Sequence, residues 1–382
     1  MKKTKNIISF ATLGTCIILL FAACSNDIVD PQQEQQKSIS FSGSLQDGGA
    51  ISRAEQGLED LLDNDTFKAW AYKNTANTGD DYTAYQVVMS NYTVNYETGT
   101  GSASNTNGWE YVGQGTNQTI KYWDYSAKAY RFFAYALGNG TASSVSVDTS
   151  DDTKVSLTSS INVSTDAGIA AAPYFSELWL SNDKVADYGK PVTLRFLKPL
   201  ARVRFLFTYA GNLDFGREEL SQIRFYPSAD PITGSAPKIA TAGNVTVSYP
   251  LKGTSTEESW SVSPTGTIDA FTIDWYTEPD PSEVPAGVPA NSLPSTWPNT
   301  PEKWYTVLPA TSQGDYTLQV AIFSPDVKTA TVPAEYMVWE PGYEYTYVFK
   351  ITERGGVTID VIQVAIKDWS ESLIIDRPVF NW

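Results

Sequence analysis

The side chain best placed for chemistry in this sequence is the thiol of Cys24. It follows Ala22-Ala23 and an apolar run from Ile7 to Phe21, itself preceded by Lys2, Lys3 and Lys5. Basic, apolar and small residues in that order make an export signal, and the small pair lets a peptidase reach the backbone. The apolar run is shorter than the roughly 20 residues a spanning helix needs, so it reads as a removable segment over residues 1–23 rather than an anchor. A thiol at the cut can take a diacylglycerol and become the first residue of a mature lipoprotein. The alternative is an ordinary signal with a chance cysteine. It is weakened because Cys16 and Cys24 are the only cysteines, and Cys16 leaves with the signal. No disulfide is then possible within the mature chain, so stability must come from packing.

Other chemistry is sparse. Histidine is absent, which removes the commonest general base, the Ser-His-Asp triad and most zinc sites. Phosphate loops and dinucleotide fingerprints are missing, so no cofactor is expected. A carboxylate pair for glycoside hydrolysis needs two acids about 5–10 Å apart, and with 43 acids in the chain spacing cannot select one. The chain therefore reads as a non-enzyme with no catalytic residues. Asp63-Asn64-Asp65 and Asp80-Asp81 offer oxygen ligands that suit calcium. Neither has the length or glycine of an EF-hand loop, and solvated turns are the simpler identity, so no metal site is expected. Eleven tryptophans could stack on sugars, but most sit in alternating runs or beside prolines, where core packing is the default. The formal charge of −16 becomes about −19 once the lysine-bearing signal is gone, which argues against a nucleic-acid partner.

The elements that would position these residues are strands. After the signal, residues 24–37 are polar with no apolar period and read as a disordered tether. Ile39, Phe41 and Leu45 then fall on alternate positions among serines, the mark of a half-buried strand. Arg53 follows in an exposed-looking stretch ahead of a short helical segment, Leu58 to Leu62. Phe67 to Tyr72, Tyr85 to Tyr96, Thr119 to Trp123 and Tyr130 to Ala136 are strand candidates between turn-forming clusters. Residues 141–164 suit a long hairpin or a surface loop, and the stretch from Ala170 to Lys190 looks like a crossover. A new alternation begins at Val192, Leu194 and Phe196 and resumes at Val203, Phe205, Phe207 and Tyr209, with Pro199 implying a bulge or edge between them. Residues 316–322 alternate likewise, and Tyr343 to Asp368 reads as a hairpin turning at Gly355-Gly356. About 358 mature residues exceed one ordinary core. The expected fold is all-β, two tandem antiparallel β-sandwiches, with an amino-terminal domain over 38–189 and a carboxy-terminal domain over 190–382.

Several blocks resemble a known family. They are the signal through Cys24, the ISFSGSL strand, the Ser52-Arg53-Ala54 step, IKYWDYSAKAYRFFAYA from Ile120 to Ala136, LRFLKPLARVRF from Leu194 to Phe205, and the late YEYTYVFKI and VTIDVIQVAIKDW. Each is weak alone, but in this order, over nearly the whole chain, they resemble the fimbrillins, the fimbrillin-like lipoproteins or type V pilus subunits of Bacteroidota. The resemblance implies transthyretin-like sandwiches, a place at the cell outer membrane or in a fimbrium on its extracellular face, and a role in adhesion. It also implies cleavage by an arginine-specific protease, here at Arg53-Ala54, although on the residues alone Arg53 is equally an ordinary linker arginine. Cutting would release the Ile39/Phe41/Leu45 strand, and an open sheet edge is a template for another chain.

The partners so implied are other fimbrial subunits joined by strand exchange, the outer membrane through the lipid on Cys24, and a surface receptor or glycan. Leu373, Ile375 and Val379 alternate and form a candidate donor strand, although Pro378 removes a ladder hydrogen bond. A stalk subunit that donates this strand and an anchor or tip subunit that only accepts one both remain open. So does a surface lipoprotein that binds glycans without polymerising.

Overall fold

The computed structural model describes residues 37–45, 66–75, 85–96, 109–138, 144–181, 183–209, 220–228, 239–253, 255–273, 304–310, 314–322, 326–351 and 359–368. In chain order the strands are β1 (Phe41–Leu45), β2 (Thr66–Asn74), β3 (Tyr85–Tyr96), β4 (Trp109–Glu110), β5 (Ala129–Ala136), β6 (Ser146–Asp148), β7 (Lys154–Asn162), β8 (Tyr174–Ser176), β9 (Trp179–Ser181) and β10 (Val192–Leu197). They continue with β11 (Ala201–Tyr209), β12 (Leu220–Pro227), β13 (Ile239–Pro250), β14 (Ser259–Ile268), β15 (Phe271–Thr272), β16 (Tyr305–Val307), β17 (Tyr316–Ile322), β18 (Asp326–Val332), β19 (Tyr343–Ile351) and β20 (Ile359–Asp368). The α-helices among the described residues are α1 (Asp166–Ala171), capped by the Thr165 hydroxyl, and α2 (Lys184–Asp187), capped by Asp183. The chain is all-β, as the alternation in its sequence required.

Four sheets carry the fold. The first runs β1-β10-β8-β5-β2-β3-β4, with β9 also on β5, and the second runs β14-β13-β7-β6. The remaining two, β16-β11-β19-β20 and β15-β12-β17-β18, pack face to face as a sandwich. The inward-facing residues of each, Val203, Phe205, Tyr345 and Tyr347 against Phe225, Tyr316, Leu318 and Val320, form one core. In the first sheet apolar residues serve both faces. Phe67, Ala69, Phe132 and Phe196 line the inner side of its curl, while Trp70, Tyr72 and Phe133 pack on Val155, Leu157, Val247 and Tyr249 of the second sheet. That is why β2 and β5 read as nearly continuous apolar runs, since a strand buried on both faces has no polar side.

The sheets depart from the expected organisation in four respects. Two pairings, β1 with β10 and β11 with β19, are parallel rather than antiparallel. The sheets do not divide at residue 190, because β10 belongs to the first sheet and β13-β14 pair with β7. β13 in fact passes through three cores, with Ile239 in the carboxy-terminal sandwich, Val245 at the junction and Val247 and Tyr249 under the first sheet. The stretch expected as a crossover supplies β8 and β9 to that same sheet. Pro199 marks neither a bulge nor an edge; it lies in the link Lys198-Pro199-Leu200 between strands of different sheets. The Lys198 ammonium donates to the carbonyls of Ile169 and Ala170 at the end of α1, at 2.9 and 3.1 Å. Burial lowers its pKa to about 8.

Candidate functional site

The amino-terminal segment closes the first sheet. Phe41–Leu45 pairs in parallel with β10, Phe41 opposite Val192, Gly43 opposite Leu194 and Leu45 opposite Phe196. Among the described strands β10 is its one partner, so β1 ends the sheet path. Just before it the chain turns to a different neighbour. Ile39 N–H donates to Lys121 O at 2.7 Å, Trp123 N–H donates to Lys37 O at 3.0 Å, and Ser38 bridges Tyr122 in antiparallel fashion. Thr119 to Trp123, expected as a strand, contributes this single bridge. Residues 37–45 thus link β10 to the 121–123 segment and seal a seam of the curled sheet.

The seam is filled by Ile39 and Phe41, two of the side chains that the alternation singled out. Ile39 and Phe41 are both 0% exposed. The Phe41 ring meets Phe67, Tyr111 and Phe132 edge-on at 5.8, 6.0 and 6.1 Å, the arrangement that aromatic quadrupoles favour. Leu45 lies four residues further along the same strand, opposite Phe196. Burying one such ring contributes about 1.5–3 kcal/mol. The outer side is polar, where Ser42 and Thr193 share a hydroxyl hydrogen bond of 2.7 Å.

Tyr111 holds the segment from below. Its buried hydroxyl donates to Ile39 O at 2.9 Å and accepts from Lys121 N–H at 3.0 Å, so one phenol ties the amino-terminal segment to the strip beside it. Desolvation, the largest influence, raises its pKa far above the ordinary tyrosine value. The phenol therefore stays protonated and able to donate at any physiological pH. The strip itself is pinned by Asp124, which accepts from Lys73 at 2.7 Å and from the Ser126 hydroxyl and N–H. The Lys73 ammonium, followed by Ser126, lowers the Asp124 pKa to about 2. At the point of entry Gly189 adopts φ +77, and a Cβ there would lie 2.6 Å from Lys37; both favour glycine. Nothing in the sequence marks Tyr111, because its role depends on backbone groups 10 and 72 residues away that meet only in the fold. Tyr111→Phe is expected to cost about 1–3 kcal/mol, since it leaves two buried backbone groups short of a partner. Denaturant unfolding measures it, and faster amide exchange at Lys121 and Val192 would place the loss at the seam.

Cys24, Arg53, Ala54, Leu373, Ile375 and Val379 lie outside the described residues, as does the helical segment expected at Leu58 to Leu62. Among the described residues no three acidic, cysteine or histidine side chains converge as a metal site, and no helix is long and apolar enough to cross a membrane.

No protein-family model matches the chain, and no curated protein matches its sequence. Solved structures do resemble it. One is a putative cell adhesion protein from Bacteroides uniformis, 13% identical, covering 88% of this chain and 100% of its own, with a TM-score of 0.38. A putative adhesin from Bacteroides thetaiotaomicron is 10% identical over 87% and 96%, with a TM-score of 0.37. The C-terminally truncated tip fimbrial protein Mfa3 from Porphyromonas gingivalis is 10% identical over 81% and 95%, with a TM-score of 0.33.

Proposed function

We propose that this chain is a fimbrillin-like subunit of an adhesive surface fibre. In this reading it is exported as a lipoprotein through Cys24, activated by cleavage at Arg53-Ala54, and assembled by exchange of the Ile39–Leu45 strand. The observation that supports it best is the place of that strand. It is short and seated in an aromatic groove, and among the described strands Phe41–Leu45 has one ladder partner, the parallel β10, while residues 37–39 add a single bridge to the 121–123 strip. Parallel pairs are slightly weaker per residue than antiparallel ones, and withdrawal breaks one short ladder together with the single bridge and few hydrogen bonds at residues 37–39. The first strand of the carboxy-terminal sandwich differs, since β11 lies between β16 and β19 and cannot be withdrawn without splitting its sheet.

Once the strand is gone, the groove between β10 and the 121–123 strip offers backbone donors and acceptors and two vacant apolar pockets. A strand from another subunit satisfies both, its backbone supplying affinity and its alternate side chains the selectivity. Leu373, Ile375 and Val379 have the required spacing for that donor. Because the donor is a different segment of the chain from the one it replaces, the contact is head to tail and need not close, so it propagates as a fibre.

The experiment is limited proteolysis of the purified precursor with an arginine-specific protease. Cleavage after Arg53 is expected to release a fragment containing Ile39 to Leu45 and to produce ladders that collapse to monomer on heating. Arg53→Ala is expected to give neither. A chain cut at Arg53 that keeps its amino-terminal strand, or loses it and stays monomeric under all conditions, would refute assembly by exchange.

A further inference from the structure

The described tryptophans differ in setting, and Trp179 is half-buried against Trp123 and Phe132 of the first-sheet core. Trp70, Trp109, Trp123 and Trp339 are buried in the cores, and Trp304 is covered by the guanidinium groups of Arg202 and Arg204, at 5.0 and 4.5 Å. Trp260 is different. It is half-buried, braced edge-on by Phe175 at 6.0 Å, and it forms one wall of a cleft of about 680 Å³ with Tyr343 and Pro341 among the other lining residues. That volume falls in the range of roughly 300–1,000 Å³ usual for small-molecule sites. Three parts of the fold meet there: the link between β8 and β9, the start of β14, and the segment leading into β19.

We infer that this cleft is a saccharide-binding site, selective for neutral sugars. A pyranose presents a flat C–H face and a rim of hydroxyls. Trp260 and Tyr343 provide aromatic surface for the face, and carboxylates accept from the hydroxyls. Two carboxylates are held in place: Glu258 accepts from Leu178 N–H at 2.9 Å, and Glu177 pairs with Arg195 at 3.2 Å. Glu257 and Glu340 stand exposed at the rim. The lining contains no lysine or arginine, so a uronic or sialic acid would face like charge with nothing to offset it. A linear cationic ligand would pair with the rim carboxylates but has no flat C–H face for the aromatic wall of Trp260 and Tyr343. The cleft takes in Leu197, the residue after the Phe196 that pairs with Leu45, and its use for a saccharide does not require strand exchange.

The test is binding of the full mature chain to neutral tetrasaccharides of gluco, manno and galacto configuration, followed by indole fluorescence and titration calorimetry. A uronic-acid tetrasaccharide and spermidine serve as contrasting probes. At least one neutral tetrasaccharide is expected to bind, and Trp260→Ala and Tyr343→Ala are each expected to weaken it by roughly tenfold or more. Glu257→Lys is a rim change that leaves the packing of Trp260 intact, so it keeps the test decisive should Trp260→Ala fail to fold; it is expected to weaken neutral-sugar binding as well. The inference is overturned if no neutral tetrasaccharide binds at millimolar concentration, or if binding is unchanged in the variants that fold. It is also overturned if spermidine is the sole ligand and salt abolishes its binding.

Discussion

Phe41→Ala is expected to lower the stability of the amino-terminal sheet by about 3–5 kcal/mol, the usual cost of truncating a buried phenylalanine. The ring is fully buried and edge-on to three aromatic neighbours. The strand that carries it is short and has one ladder partner, so the cavity cannot be closed by a second flanking strand. Denaturant unfolding followed by a probe in the first sheet measures the loss. The consequence for function has the opposite sign. A strand held less tightly leaves sooner, so after cleavage at Arg53 this variant should polymerise faster than the parent. Ser42→Ala is the matched control, because it removes only an exposed hydroxyl contact with Thr193 and should change stability by no more than about 0.5 kcal/mol. Slower polymerisation by Phe41→Ala would mean that the ring is needed in the acceptor after the strand has gone, which the exchange reading does not allow.

Phe225→Ala is expected to cost a similar 3–5 kcal/mol, but in the other sandwich and without that consequence. Phe225 is fully buried and packs on Phe205, Tyr316 and Tyr347, with ring centroids 4.8, 5.1 and 5.5 Å away. None of these residues touches the groove that holds β1. Amide exchange at residues 40–45 should therefore remain at the parent rate while the carboxy-terminal sandwich melts earlier. The long strand β13 sets the limit of this independence, since it lends Ile239 to the damaged core and Val247 and Tyr249 to the one beneath the first sheet. If the loss spreads to residues 40–45, β13 transmits it, and Val245 at the junction is where a second substitution would separate the two sandwiches.

The two substitutions together distinguish release of a strand from general weakness. Both proteins are destabilised alike, yet only one is altered at the seam. An assembly rate that rose in both would follow from partial unfolding, whereas a rise confined to Phe41→Ala ties polymerisation to the seating of one side chain.

Much of this fold could be read directly from the residue pattern. Tyr85 to Tyr96 alternates so regularly that its strand has the expected bounds, and the Tyr343 to Asp368 run folds back as the expected hairpin. Ile39 and Phe41 announce an inward face by their spacing alone, because side chains on a strand point alternately to its two sides. The partners of those strands carry no such mark. Alternation specifies which face is buried and says nothing about which edge meets which, so the parallel pairing of β1 with a strand some 150 residues away, and the return of β13 to β7, arise only when the whole chain packs. The same limit explains Thr119 to Trp123, where a strand-like pattern is used for one bridge because Tyr111 takes the Lys121 amide. The lack of histidine and the all-β class were settled by residue type and order, which are local properties. The seam beneath Phe41 and the cleft beside Trp260 were decided by tertiary structure, since each is made of residues that become neighbours only after the sheets have closed.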